Sequence, residues 1–250
     1  MKNVVILGST GSIGKSTLDV IRNLEHKYKV VALSANSQWE LLSEQVREFK
    51  PESVSLANEQ YIDSLRNSLP DNSVQILTGA NSVREMVSKE NVDIVLSAIV
   101  GGAGLPAAIE AIKSSKTLAL ANKEALVMAG GLIMPLAKEN GVNIIPVDSE
   151  HSAVLQALRA GRRDEVKKII ITASGGPFRN HPIEKLSEVT KEEALNHPTW
   201  SMGNKITIDS ATMMNKALEV IEAKWLFDLD ASQIEVVIHP ESIIHSLVEF

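Results

Sequence analysis

Residues 3–14 read "NVVIL" followed by "GSTGSIG", and the chain runs on into "KSTLDVIRNL" (15–24). An apolar run ending in glycine, then Ile13, Thr17, Leu18, Ile21 and Leu24 at helical spacing, predicts a strand, a turn and a helix in succession. Glycines in such a turn permit a tight bend and let the backbone approach a pyrophosphate, whose charge is favoured by the N–H groups opening the helix. A dinucleotide fits there; a plain tight turn is the alternative. The G-x-x-G-x-x-G spacing also differs from the commoner G-x-G-x-x-G.

Outward from this stretch the alternation repeats. "KVVALSA" precedes "NSQWELLSEQVREF", "SVSLA" precedes "EQYIDSLRNSL", "VDIVLSAI" precedes "GLPAAIEAIKSS", and "KTLALA" precedes "KEALVMAGGLIMPLAKENG" and "NIIPVD". Near-continuous apolar strands such as "DIVLSA" suit a parallel sheet covered on both faces. The expected class is α/β. A Rossmann-like doubly wound parallel sheet should occupy residues 1–147, with an α+β domain over 148–250. Its strands come from "KKIIITASGGPF" and "QIEVVIHPESIIHSLVEF", separated by a loop-rich stretch from Arg179 to Asp209. The chain stops inside the apolar run "SIIHSLVEF", which reads as a truncation.

Composition narrows the function. The 250 residues exceed one typical domain of roughly 100–200. No apolar run approaches the ~20 residues that cross a bilayer, and a strand-like run begins too soon after Met1 for a targeting segment. No membrane partner is expected. The absence of cysteine excludes a disulfide framework and a thiolate nucleophile, and fits a cytoplasmic setting. A net charge of −6 without a Lys/Arg run lacks the footprint of a nucleic-acid binder, so the partner should be a small molecule.

The second strand bears on the cofactor. An NAD enzyme ends it with Asp or Glu about 20 residues past the glycines to hold the ribose 2′-hydroxyl. Here Ser34, Ala35, Asn36 and Ser37 carry no negative charge, so NADP is favoured over NAD.

Four further stretches offer candidate site residues. In "IIPVDSEHSAVLQAL", Asp148 and Glu150 follow a strand two apart, so extended backbone would point both carboxylates to one side. They read as helix caps or as ligands for a hard cation such as Mg²⁺ or Mn²⁺. In "IDSATMMNKALEVIEAKWLF", Ser210 falls in an N-cap region, and Asn215, Lys216, Glu219 and Glu222 share a helix, either as a solvated face or as a third source of ligands. "HPTWSMGNKITID" places Trp200, Met202 and Gly203 in a stretch without periodicity, which suits a lid or an ordinary loop anchor. Ser174-Gly175-Gly176 ends a strand, where backbone N–H groups could meet a phosphate or simply turn the chain.

Six co-linear blocks, "GSTGSIG", "ANKEALVMAG", "PVDSEHSA", "TASGGPF", "HPTWSMGNKITIDSATMMNKALEVIEA" and "IHPESIIHS", together resemble the 1-deoxy-D-xylulose 5-phosphate reductoisomerase family along the whole chain. The resemblance implies isomerisation of that phosphorylated sugar and reduction by NADPH to 2-C-methyl-D-erythritol 4-phosphate, in the non-mevalonate isoprenoid pathway, with a divalent cation. It implies metal ligands at Asp148, Glu150 and Glu219, and an active-site lysine at Lys123. Substrate contacts are implied at Ser149, Ser174, His197, Ser210, Asn215 and Lys216, with Trp200 in a flap that closes over the substrate. Thr10, Gly11, Ser12 and Ile13 match the pyrophosphate loop, with Ala35, Asn36 and Ser37 near the adenosine ribose. Asn122, Glu124 and Gly203 match positions near the rest of the cofactor. A homodimer is implied. So is a C-terminal helical domain that the sequence lacks, with weaker binding or slower turnover as its consequence. Many relatives carry a basic residue near Asn36, where this chain has none. Two rival readings are a metal-independent NADP dehydrogenase and a non-catalytic nucleotide-binding fragment. A semialdehyde dehydrogenase is excluded, because its acyl transfer needs a cysteine.

Overall fold

The computed structural model describes residues 1–69 and 74–250. Residues divide by contact into two units, Met1–Ile145 and Pro146–Phe250.

The first unit alternates strand and helix as β1 (Lys2–Leu7), α1 (Ser12–Asn23), β2 (Tyr28–Ala35), α2 (Trp39–Phe49), β3 (Ser53–Leu56), α3 (Ile62–Ser68), β4 (Gln75–Leu77) and α4 (Ser82–Ser88). It continues through β5 (Ile94–Ser97), α5 (Leu105–Lys113), β6 (Thr117–Leu120), α6 (Lys123–Glu139) and β7 (Ile144–Pro146). The seven strands lie in the order β4-β3-β2-β1-β5-β6-β7, and the pairs from β4 through β6 are parallel. Val4–Leu7 and Val30–Leu33 are buried on alternate and intervening positions alike, as a sheet covered on both faces requires. This is the α/β, Rossmann-like arrangement expected. The β4–α4 pair was not read from the sequence.

The order reverses beside β1, and in an open α/β sheet the crevice at such a point lies beyond the carboxyl ends of the strands. The glycine turn sits there. Gly8 has φ +81°, and an added Cβ at Gly14 would lie 2.4 Å from the Gly8 oxygen and 2.5 Å from the Ser9 Cα. Both positions therefore demand glycine, one for conformation and one for close packing.

The second unit comprises α7 (Ser149–Ala157), β8 (Lys168–Ala173), α8 (Lys191–Leu195), α9 (Asn204–Ala211), α10 (Met214–Phe227), β9 (Ile234–Ile238) and β10 (Ser246–Glu249). Its sheet has the order β10-β8-β9, antiparallel on one side of β8 and parallel on the other. Val154 of α7, Ile169 and Ile171 of β8, and Ala223 and Phe227 of α10 form its core with Val166 and Leu229. That core fixes α7 against α10. The stretch from Arg179 to Asp209 is less irregular than expected, because α8 and most of α9 fall within it.

Candidate active site

The resemblance placed cofactor residues on loops that the first unit sets at the carboxyl ends of its strands. Thr10 and Gly11 follow β1, and Ser12 and Ile13 open α1. Ala35 ends β2, with Asn36 and Ser37 just beyond it. The turn is held from behind, since the Gly8 and Ser9 N–H groups both donate to the Ser34 carbonyl, at 3.0 and 2.8 Å. Asn122 caps α6 by accepting from the Ala125 N–H at 2.8 Å, and its amide nitrogen donates to the Ile99 and Gly101 carbonyls. Its side chain thus ties the loop after β5 to α6. Lys123 follows, only 7% exposed, and Glu124 lies in the same first turn. A buried ammonium at a helix N-terminus is disfavoured by both desolvation and the helix dipole unless a partner compensates it.

Ten of the predicted residues line one cavity of about 200 Å³ in the second unit: Asp148, Ser149, Glu150, Ser174, His197, Trp200, Ser210, Asn215, Lys216 and Glu219. Gly203 stands at the start of α9 in the same unit. Thr172, Met202, Ile206, Met213, Ser242 and His245 also face the cavity. Sequence reasoning gave no role to Ser242 or His245, although both stand in the "IHPESIIHS" block.

Two helices deliver the carboxylates. Asp148 is the N-cap residue of α7 and forms no side-chain capping bond, while Glu150 lies in the first helical turn. The pair converges because the chain turns from extended to helical between them, and not through the strand alternation expected. On α10 the residues Lys216, Glu219, Ala223 and Phe227 recur at helical spacing and are all buried. This is a core stripe with charges in its first half. Asn215 donates to Glu219 Oε1 at 2.5 Å, while the Lys216 ammonium pairs with Glu219 and reaches Glu150 Oε1 at 3.3 Å. The reading of this helix as a solvated face is overturned, because Lys216 and Glu219 are 5% and 1% exposed.

Ser210 needs a correction too. It lies in the last turn of α9, donating to the Ile206 carbonyl at 2.7 Å, and the break before α10 falls at Met213 with φ +63°. Ser210 still faces the cavity.

The electrostatics favour a cation. Asp148, Glu150 and Glu219 each offer an oxygen, all within 4.8 Å of one another. Burial first, and the Glu219 charge next, push the Glu150 carboxyl above its ordinary value, against the opposing pull of Lys216. Three carboxylates around one ammonium leave negative charge that a hard divalent ion would neutralise, and an all-oxygen donor set suits Mg²⁺ or Mn²⁺. A second set, Asp148, His151 and Glu222, also lies within 4.8 Å, but His151 and Glu222 are 0% and 1% exposed and lie behind the cavity wall. His151 Nε2 is 3.0 Å from the Glu219 carbonyl, which can only accept, so that nitrogen carries hydrogen. Nδ1 stands 3.1 Å from Glu222 Oε2, at ion-pair distance but outside hydrogen-bond geometry. Burial opposes charge on this ring, yet the Glu222 carboxylate together with the Asp148 and Glu219 charges raises the His151 pKa.

Opposite the carboxylates, His197 Nδ1 accepts from the Thr199 and Trp200 N–H groups at 3.1 and 3.0 Å. Its hydrogen therefore sits on Nε2, 3.1 Å from Ser174 Oγ, to which it donates. Burial, then the nearby Arg179 charge, lower the His197 pKa and hold this neutral form. With one lone pair of Ser174 occupied in this way, its own O–H is available to a ligand. The Trp200 indole, 44% exposed, stands 6.4 Å from the His245 ring.

The sequence model of 1-deoxy-D-xylulose 5-phosphate reductoisomerase matches residues 4–130, and that of the C-terminal domain of the same enzyme matches residues 144–227. The second match gives no support to the expectation that a C-terminal domain is missing. A 1-deoxy-D-xylulose 5-phosphate reductoisomerase of Agathobacter rectalis is 56% identical over all of this chain and 66% of its own length. One of Thermoanaerobacter sp. is 54% identical over all of this chain and 65% of its own. The chain thus spans about two thirds of these relatives. Among solved structures, a DOX-P reductoisomerase in complex with NADPH, fosmidomycin and magnesium superposes with a TM-score of 0.94 at 44% identity, over all of this chain and 64% of that one. The Zymomonas mobilis enzyme in complex with NADPH gives a TM-score of 0.91 at 44% identity, with the same coverage. With just over half its length matched by the first of these sequence models, the chain belongs to the 1-deoxy-D-xylulose 5-phosphate reductoisomerase family.

Proposed function

We propose that this protein isomerises 1-deoxy-D-xylulose 5-phosphate and reduces the product to 2-C-methyl-D-erythritol 4-phosphate with NADPH, in a divalent-cation-dependent reaction. The observation that carries the reading is the convergence of Asp148, Glu150 and Glu219 on one cavity that also holds Lys216, Ser174 and His197. The relatives' complexes with NADPH and magnesium agree with it.

On this reading residues 1–147 bind NADPH and residues 148–250 hold cation and substrate. Asp148, Glu150 and Glu219 would hold the Mg²⁺ or Mn²⁺ ion, which when bound supplies Lewis-acid polarisation of two substrate oxygens. The Lys216 ammonium and the Asn215 amide, both fixed on Glu219, orient the substrate beside these carboxylates. The Ser174 hydroxyl, aligned by His197, donates to the substrate phosphate, and Ser149 and Ser210 offer hydroxyls to the remaining oxygens. Trp200 closes over the bound sugar and excludes water from hydride transfer. Lys123, Asn122 and Glu124 serve the nicotinamide side; Thr10–Ile13 cradle the pyrophosphate, and Ala35–Ser37 and Gly203 contact the rest of the cofactor.

The protein acts as a cytoplasmic homodimer on this proposal, with neither nucleic acid nor membrane as partner. Among the described residues no helix is long and apolar enough to cross a membrane. The edge strand β9 exposes Val236, Val237 and Ile238, which suits a subunit contact. Substrate-dependent oxidation of NADPH, followed by absorbance with and without EDTA, tests the activity. Oxidation abolished by chelation and restored by Mg²⁺ is the expected result. A rate indifferent to complete cation removal would favour a metal-independent dehydrogenase.

A further inference from the structure

The His151–Glu222 pair is absorbed by none of the roles above. His151 is fully buried, next in sequence to Glu150 and packed against Phe227 with ring centroids 6.2 Å apart. Through Nε2 it holds the Glu219 carbonyl, and through Nδ1 it faces Glu222, so one ring grips a single turn of α10 at two points. Glu222 is 1% exposed, and neither of its oxygens has a hydrogen-bond partner among the described residues. An apolar side chain would fill that place at lower desolvation cost, so the carboxylate is retained for what it does to the ring.

The geometry points to Glu222 as a positioning residue for the cation site, an inference that rests on the cation reading proposed above. The apolar contacts among Val154, Ala223 and Phe227 set the distance between α7 and α10. Being non-directional, they leave the fine rotation of each helix to the polar links between the two, of which the Lys216–Glu150 pair is one. The ring of His151, oriented by Glu222 and bonded to the Glu219 backbone, is another. It helps set the rotation at which Glu150 on α7 and Glu219 on α10 meet one ion.

Titration of Mn²⁺ into the 250-residue chain, with free ion read by electron paramagnetic resonance, tests this in the unmodified protein and in Glu222→Gln, Glu222→Asp and Glu222→Leu. NADPH affinity and thermal unfolding are measured alongside. The glutamine amide donates to the Nδ1 lone pair, so Glu222→Gln should keep Mn²⁺ affinity within about twofold. Glu222→Leu leaves the ring unheld and should weaken Mn²⁺ by about 10–100-fold with NADPH affinity unchanged, the range usual for lost outer-shell partners. Glu222→Asp keeps the charge but is a methylene too short to reach Nδ1. It should fall between the two, so the test survives if the leucine variant does not fold. Full affinity in the Leu or Asp variant would overturn the inference while leaving the cation site intact. So would a Gln variant as weak as Leu, or two ions in the unmodified chain and one in every Glu222 variant, since Glu222 would then be a ligand. An unmodified chain that binds no Mn²⁺ would overturn the site reading and this inference with it.

Discussion

Lys216 and Glu219 stand where a helix packed for stability alone would carry leucine, and their burial is what separates a binding site from a surface ion pair. The spacing of Asn215, Lys216 and Glu219 is plain in the sequence; the burial of Lys216 and Glu219 is not, because it depends on α7 packing against them. Glu150 stood out as a candidate ligand for a reason the structure replaces, namely strand alternation in place of a helix start. His151 could not be singled out, since a histidine beside an apolar helical stripe carries no sign of the carboxylate it faces. At this scale the raised Glu150 pKa has a signed consequence. The folded, cation-free protein binds this proton more tightly than the unfolded chain, whose carboxyl keeps the ordinary value of 4.5. Its contribution to stability is thus complete below 4.5 and declines as pH rises through the elevated folded value. A cation competes with the same proton. Mg²⁺ affinity, measured by calorimetry across pH 4 to 8 in buffers of different ionisation enthalpy, should therefore fall on acidification and show proton release in that window. Affinity flat with pH would show that Glu150 does not bind the ion.

Among the elements, most of the first unit's strands and helices were legible, including ones as short as α3 and β7, but β4 and α4 were not. β1, α1, β2 and α2 follow from their patterns, whereas neither the three residues of β4 nor the seven of α4 carry a strong period. The break between α9 and α10 was missed because "IDSATMMNKALEV" carries neither Gly nor Pro, and the turn is made by Met213 in a left-handed conformation. Such a residue costs roughly 1–2 kcal/mol, which surrounding packing must offset. That turn brings the end of α9 and the start of α10 to the same cavity. The opening glycine turn makes the opposite demand, for the absence of a side chain. In Gly14→Ala the new Cβ would press on backbone that cannot move aside, so denaturant unfolding should show a loss of about 1–3 kcal/mol. NADPH affinity should drop with it, because the strained turn is the proposed pyrophosphate cradle. Unchanged stability would mean that the helix starts elsewhere.

For the whole molecule, the sequence conveyed the parallel sheet, the second α+β unit and the candidate ligands through order and spacing. What it could not convey was convergence. Asp148 and Glu150 lie some seventy residues before Glu219, and the shared core of Val154, Ile171, Ala223 and Phe227, with the polar links from Glu150 to Lys216 and from His151 to Glu219, brings α7 and α10 together. The activity proposed above depends on that convergence more than on any single side chain. The most direct test is diffraction from crystals grown with MnCl₂, with data collected for the anomalous signal of manganese. One strong peak within bonding distance of Asp148, Glu150 and Glu219 is predicted. No peak at these carboxylates, or manganese bound elsewhere with the three left apart, would contradict the account.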